Sequence, residues 1–386
     1  MILESCFPTE GGGGAEGQVR TLSGYLRQCG VPVTIVVPMV PHGLQREHDE
    51  VDGVPVWRIP YPRIRKLGGF VMMARFAWFL FRNRRNYEVI HAHIANNLAV
   101  MSSLAGRALG KTVIVKMTGS LELAQGILDS GTKNLALSLK RGALKRANYF
   151  QATSSEIQER LLENGFHADR VKVIPNAVDV DRFADAARNR KADAPHPRTA
   201  VYVGRLEPDK GTDVLVDAWI EAFGKREGIQ LLLVGEGGQR NLLEQMISEH
   251  GREQDIRLLG PQVDVGPFLA SADFAVLPSR YEGLSNALLE YMAAGLPVLG
   301  TRVSGTVDYI EQGRCGWLVD SDNKAQLVTQ LRYIANLDME TLQKLGAQAR
   351  HYVVARARID NVVAQLAGLY EIESAFIKQV AGDEYV

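Results

Sequence analysis

The chain has 386 residues, 46% of them apolar and 23% charged, which allows two domains with separate cores and excludes a disordered chain. Cys6, Cys29 and Cys315 are scattered without metal-ligand spacing; they imply no disulfide framework and suit a reducing, cytoplasmic compartment. Net charge is zero, yet residues 1–180 carry 22 Lys+Arg against 15 Asp+Glu and residues 181–386 carry 22 against 29, so the first half either faces something anionic or complements the acidic second half.

The opening MILESC is apolar but short, lacks a basic leader and runs into a glycine-rich loop, and therefore reads as a first strand. Strands follow at VTIVVP, VPVWRI, VIHAH, TVIVKM, YFQAT and VKVIP, with helices near residues 15–29, 70–84, 96–109, 132–146 and 155–164. The longest apolar run, Phe70 to Phe81, contains Arg75 and is shorter than the ~18–20 residues that span a bilayer, so no crossing is expected. A helix over this run would bury Phe70, Met73, Phe76, Ala77 and Leu80. Trp78, Phe79 and Phe81 widen its apolar surface, and Arg63, Arg65 and Lys66 precede it while Arg82, Arg84 and Arg85 follow. Residues 60–86 therefore suit either packing on the sheet or a peripheral contact with an anionic membrane at its cytoplasmic, inner face, to which the basic helix at 135–146 can add. No nucleic-acid-binding signature accompanies the basic residues, so nucleic acid is not expected as a partner.

The polar stretch Asp181 to Arg198 reads as a linker, after which strands recur at TAVYVG, IQLLLVG, IRLLG, FAVLPS, PVLGT and GWLV. This is an α/β pattern of two doubly wound, Rossmann-like domains, 1–180 and 196–358, with a ligand cleft between them. Three loops carry candidate chemistry. In PTEGGGGAEG the positions Gly12, Gly14 and Gly17 match a dinucleotide fingerprint, but VTIVVP ends in Pro38 and Met39 where that reading needs an acidic residue. Alternation places His91 and His93 on one side of a strand; no third metal ligand is evident nearby, so core or hydrogen-bonded histidines are the default. Arg205 and Lys210, on the loop leaving TAVYVG, suit either a diphosphate or pairing with Glu207 and Asp209.

The fullest constellation is LPSRYEGLSNALLEYMAAGLPVLG, residues 277–300. Ser285 or Asn286 can cap a helix whose first amides would meet a phosphate. Glu282 and Glu290, about 80° apart on a helical projection, can each accept hydrogen bonds from sugar hydroxyls or remain solvated. The pairs Asp179/Asp181 and Asp320/Asp322 formally resemble metal–nucleotide motifs, but no metal and no other cofactor is expected.

The Glu, seven residues, Glu run with its Glu-Gly opening and Ala-Ala-Gly-Leu-Pro-Val exit, Ser304-Gly305 downstream, and the Gly-Gly-x-Glu loop together resemble retaining glycosyltransferase family four. The resemblance covers nearly the whole chain and is strongest from Val201 to Val319. It departs from the usual pattern where Ala177 follows Asn176 in place of glycine. It implies the GT-B fold, with residues 1–180 binding the acceptor, 196–358 the nucleotide-sugar, and a final helix from 359–386 packing back on the first domain. By resemblance, Gly13 and Gly14 lie on the loop that lines the cleft next to the donor phosphate or the acceptor, His93 approaches the donor sugar through its backbone or side chain, Arg205 and Lys210 hold the diphosphate, and Leu258 and Gly260 border the base. Glu282 contacts the donor sugar, Gly283, Leu284 and Ser285 offer amides to the diphosphate, and Glu290 takes the ribose. His93, Arg205, Lys210 and Glu282 are then the catalytic group. The implied activity is retaining, metal-independent hexosyl transfer from a nucleotide diphosphate sugar, UDP-sugar favoured, to a lipid-linked glycan or polysaccharide precursor. An epimerase of the same architecture and a non-catalytic sugar-nucleotide sensor are the other two classes; donor turnover without acceptor distinguishes the first.

Overall fold

The computed structural model describes residues 1–9, 13–40, 46–64, 67–119, 135–184, 197–224 and 228–371. They divide into two compact units, Met1–Ala177 with the residues from Ile359 onward, and Val178–Arg358. The second is built on one parallel sheet, and the first on a three-stranded sheet, whose His48–Val51 and Val54–Ile59 strands pair antiparallel, beside a four-stranded parallel one.

In the first unit, α1 (Gly14–Gln28) is followed by β1 (Ile35–Pro38), β2 (His48–Val51) and β3 (Val54–Ile59), ordered β1-β3-β2. After α2 (Leu67–Arg82), the strands β4 (Val89–Ala92), β5 (Thr112–Met117), β6 (Tyr149–Ala152) and β7 (Val171–Val173) form a parallel sheet in that order. Between them run α3 (Asn97–Leu109), α4 (Leu135–Leu144) and α5 (Ser155–Glu163), the last capped by Ser154 Oγ, which accepts from Ile157 N–H. The two sheets meet at Ile2, bridged in parallel to both Val36 and Ala92.

The expected first strand thus contracts to one bridged residue. The chain bends at Glu4, whose carboxylate accepts the Leu98 N–H at 2.7 Å and Asn97 Nδ2 at 3.0 Å, compensating the orphan amides of α3. The β2–β3 hairpin had no counterpart in the sequence reading. Its turn, Asp52-Gly53 with φ of 51° and 76°, is the Asp-Gly signal that hairpin twist favours. Helix α2 buries Gly68, Met72, Phe76 and Leu80, a stripe at every fourth residue. Phe70, expected inside, is instead 72% exposed, because the buried stripe starts at Gly68 and leaves residue 70 about 200° round the helix.

The second unit holds β8 (Arg198–Val203), β9 (Ile229–Val234), β10 (Ile256–Gly260), β11 (Phe274–Leu277), β12 (Val298–Thr301) and β13 (Gly316–Val319). All are parallel, in the order β10-β9-β8-β11-β12-β13. Its helices are α6 (Thr212–Phe223), α7 (Arg240–Glu249), α8 (Gly266–Ser271), α9 (Asn286–Ala293), α10 (Thr306–Tyr309), α11 (Lys324–Ala335) and α12 (Met339–Ala357). Alternate strand residues feed two cores. Ala200, Tyr202, Leu231, Leu233 and Val276 pack with Leu215 and Trp219 on one face, while Val201, Leu232, Ala275 and Leu277 pack with Leu288, Leu289 and Met292 on the other. Val178, Val180 and Phe183 join this second core, so the stretch read as linker begins inside the unit: apolar residues here find a face to bury. Helix α13 (Ile359–Tyr370) belongs to the first unit, where Ile359, Val362, Val363 and Leu366 pack with Leu22, Leu26, Ile114 and Ile174. Residues 372–386 lie outside the described part of the chain.

Candidate active site

In the second unit the strand order reverses direction between β8 and β11, the position where doubly wound sheets open at their carboxyl ends. Parallel pairing of these two strands stops at Val201 with Ala275. Beyond it, Tyr291 of α9 takes the place of a strand: its hydroxyl accepts the Val203 N–H at 2.5 Å and donates to the Val203 carbonyl at 3.2 Å. The loop after β8 is pinned by Tyr202, whose hydroxyl donates to the Arg205 carbonyl at 2.7 Å, and by Glu207, which accepts the Gly238 N–H at 2.9 Å. Gly211, with φ 65°, lets this loop touch the loop after β11, since a Cβ there would stand 2.1 Å from the Pro278 carbonyl.

The two loops carry four charges in one chain of contacts. Arg205 pairs with Asp209 at 3.3 Å, Lys210 lies 3.6 Å from Asp209, and Lys210 Nζ meets Glu282 Oε1 at 2.7 Å. Ser279 Oγ donates to the same Oε1 at 2.9 Å. Arg205 is about half exposed whereas Lys210 and Glu282 are largely enclosed, with side chains 16% and 10% exposed. The quartet is neutral overall and holds Lys210 in place beneath the loop. Three sequence-selected residues, Arg205, Lys210 and Glu282, therefore come together within one unit, with the start of α9 across the turn.

Arg280 was missed by sequence reading. Its guanidinium forms a fork on Asp213, 2.9 Å to each carboxylate oxygen, bonds Asp322 at 2.6 Å and donates to the Pro208 carbonyl. Its hydrogen bonds to Asp213, the largest influence, raise its already high pKa further. The clamp joins the loops after β8, β11 and β13. Nothing in the local string SRYEG marks it, because both carboxylates are remote in sequence. Arg280→Lys is expected to lower the apparent Tm by several degrees and raise the donor KM, since an ammonium cannot reproduce the fork. An unchanged melting curve and KM would mean the loops are held by other contacts.

Ser285 occupies the N-cap of α9 but its side chain makes no capping hydrogen bond. Gly283, Leu284 and Ser285 are buried. Gly305, φ 71°, backs this turn so closely that a Cβ would meet the Gly283 carbonyl at 1.8 Å. Two turns on, Glu290 is partly buried, and burial pushes its carboxyl up to about 7, with Arg182 pulling the other way. Leu258 and Gly260 end β10; the Gly260 carbonyl accepts the Gly235 N–H at 2.9 Å.

In the first unit, Gly13 is the N-cap of α1 and Gly14 its first residue, while Gly12 falls outside the described residues. His91 and His93 share one side as expected, rings stacked at 4.2 Å. His93 is 0% exposed and its N–H is given to the Ile2 carbonyl at 2.9 Å. The ring is thus enclosed and the amide engaged. Of the two Asp pairs, Asp179 accepts the Asp181 and Arg182 amides, Asp181 pairs with Arg358, Asp320 with Arg302, and Asp322 with Arg280. Among the described residues no three His, Cys, Asp or Glu side chains form a metal-holding group.

Two family models match the chain: Glycosyltransferase Family 4 over residues 12–182 and Glycosyl transferases group 1 over residues 197–336. Phosphatidyl-myo-inositol mannosyltransferase of Mycobacterium tuberculosis is 29% identical over 380 residues, covering 93% of each chain. N-acetyl-alpha-D-glucosaminyl L-malate synthase of Bacillus anthracis is 22% identical over 378 residues, covering 95% of each. Among solved structures, HepE of Anabaena in complex with UDP and glucose superposes with a TM-score of 0.74 at 20% identity, covering 96% of this chain and 98% of that one. Sucrose-phosphate synthase of Thermosynechococcus elongatus superposes with a TM-score of 0.76 at 22% identity over the same shares.

Proposed function

Because the chain belongs to glycosyltransferase family four and has the GT-B fold, we propose that it transfers a hexosyl group from a UDP-sugar, with retention and without a metal, to a glycan or lipid-linked acceptor. The observation that carries this reading is the Arg205–Asp209–Lys210–Glu282 chain at the β8/β11 opening. When the glycosidic bond breaks, the departing diphosphate gains negative charge, and Lys210 and Arg205 stabilise it more than they stabilise the bound donor. Both hydrogen bonds to Glu282 fall on Oε1, so Oε2 faces the donor sugar's hydroxyls. Amides at Gly283, Leu284 and Ser285 hold the phosphates and Glu290 accepts from the ribose. Gly13 and Gly14 border the donor, Leu258 and Gly260 the base. UDP as the leaving nucleotide is supported by the HepE complex. In this reading the leaving phosphate oxygen takes the acceptor proton on the same face.

Residues 1–180 serve the acceptor and 196–358 the donor in this reading. Thermal shift with UDP, GDP and ADP tests the nucleotide, since only a bound nucleotide raises the melting temperature saturably; no response to UDP would remove the donor assignment. Turnover is expected to survive excess EDTA, and a loss restored by magnesium or manganese would return the Asp pairs to consideration.

The acceptor is presented at a membrane. Helix α2 exposes Leu67, Phe70, Trp78 and Phe81, and α4 exposes Leu135 and Leu139 at 75% and 66%; both helices pack against α3. Arg82, Arg84, Arg85, Lys140 and Arg141 lie in or just beyond these helices, the combination that seats a peripheral protein on anionic lipid. No described helix is long and apolar enough to cross a bilayer. Co-sedimentation is expected with anionic liposomes at low salt and to fall at high salt, and indifference to lipid charge would assign these side chains to another surface.

A further inference from the structure

Parallel register pairs Lys116 with Gln151 on β5 and β6, and His93 directly follows β4, whose last pair is Ala92 with Val115; the three thus stand side by side at the strands' carboxyl ends, on the face that α1 and α13 cover. The three are buried, at 0%, 1% and 0% exposure. Gln151 donates to the Ile174 carbonyl at 2.9 Å, and His91, stacked on His93, shares Nδ1 with the Tyr370 hydroxyl at 2.7 Å. The Gln151 side chain also interacts with His91, which leaves Lys116 Nζ and both ring nitrogens of His93 without a hydrogen-bond partner among the described residues. Buried polar groups are nearly always paired, so such a cluster calls for an occupant.

The chemistry of the cluster restricts that occupant. Its ionisable members besides the Tyr370 phenol are Lys116, His91 and His93, with the amino group of Met1 acting on both imidazoles; among the described residues no carboxylate acts on Lys116, and burial draws its amine down to about 7. A buried ammonium without a counter-ion is strongly disfavoured. Enclosure adds a second restriction, because anything reaching a 1% exposed Nζ must shed its water, a requirement that a halide meets at far lower cost than a multiply charged oxyanion.

We propose that Lys116 and His93 form an enclosed binding site for a small monoanion of the chloride class within the first unit. The ion accepts hydrogen bonds from Lys116 Nζ and an imidazole N–H of His93, supplies the counter-charge that lets the buried amine keep its proton, and thereby steadies the His91–Tyr370 contact that anchors α13.

The test is the melting temperature of the full chain at neutral pH and constant ionic strength, with sodium gluconate exchanged stepwise for sodium chloride or bromide. A saturable rise of a few degrees is expected for the wild type, and none for Lys116→Met, which removes the amine and keeps an unbranched apolar stem of nearly the same length. Equal responses of the two proteins, or none in either, would overturn the site. Should Lys116→Met fail to fold, crystals of the wild type soaked in bromide supply the second measurement. An anomalous peak in contact with Lys116 Nζ is the expected result, and featureless density there would sink the proposal.

Discussion

Lys210→Ala is expected to lower kcat by on the order of 10²–10³, the usual consequence of removing one donor from a developing anion, with a smaller change in UDP affinity. Arg205→Ala should act in the same direction but less, because Arg205 is the more exposed of the two and holds its place through one ion pair. Glu290→Ala should behave oppositely, raising the donor KM while turnover at saturation is retained, since ribose hydrogen bonds are alike in ground and transition states. The carboxyl of Glu290 adds a pH signature. With its value pushed up to about 7, it is protonated in mildly acidic buffer and loses acceptor capacity, so UDP affinity falls as pH drops through 7. In Glu290→Gln that dependence flattens. Steady-state kinetics and UDP titrations between pH 6 and 8 decide the matter; three variants with wild-type kcat and KM would remove these residues from the site.

The second large effect concerns acid stability of the first unit. Lys116 has a folded value of about 7 against an ordinary 10.5, so the unfolded chain binds the proton more tightly. Its effect is absent above about 10.5, becomes an increasing destabilisation as pH falls from there to 7, and is constant below. The interval of about 3.5 pH units corresponds to a maximum on the order of 5 kcal/mol. His91 and His93, both drawn well below 6.5 by burial first and by neighbouring positive charge second, add a further loss below pH 6.5. In halide-free buffer, Lys116→Met should therefore exceed the wild type in stability at pH 7 and match it above pH 10.5, with chloride narrowing the gap. Urea titrations followed by tryptophan emission report this, with Trp57 and Trp78 in the first unit and Trp219 and Trp317 in the second. A pH-independent difference would mean that Lys116 remains charged and paired in the native protein.

The parts of this fold that could be read in advance are those specified by short-range pattern. FAVLPS, PVLGT and GWLV are buried parallel strands because nearly every residue in them is apolar, and the Glu282-to-Glu290 run carries its turn and helix in one contiguous string. What escaped depends on residues distant in sequence. Arg280 gains its meaning from Asp213 and Asp322, Tyr291 from the gap between β8 and β11, and Lys116 from its strand neighbours on both sides, none of which a local window contains. Phe70 was misplaced for a related reason: the hydrophobic run fixes the helix, but which stripe faces inward is chosen by the partner, here Trp57, Leu98 and their neighbours in the same core.

The second unit is one uninterrupted stretch, Val178–Arg358, whereas the first is assembled from two stretches that flank it. During synthesis the second unit has its whole sequence available before α13 leaves the ribosome, and domains fold as units as they emerge. The first unit, begun earlier, waits for Ile359–Tyr370 to cover Leu22, Leu26 and Ile114 and to bring Tyr370 to His91. Its half-built core is the nascent chain's long-lived sticky surface, so the order of translation is the reverse of the order of completion.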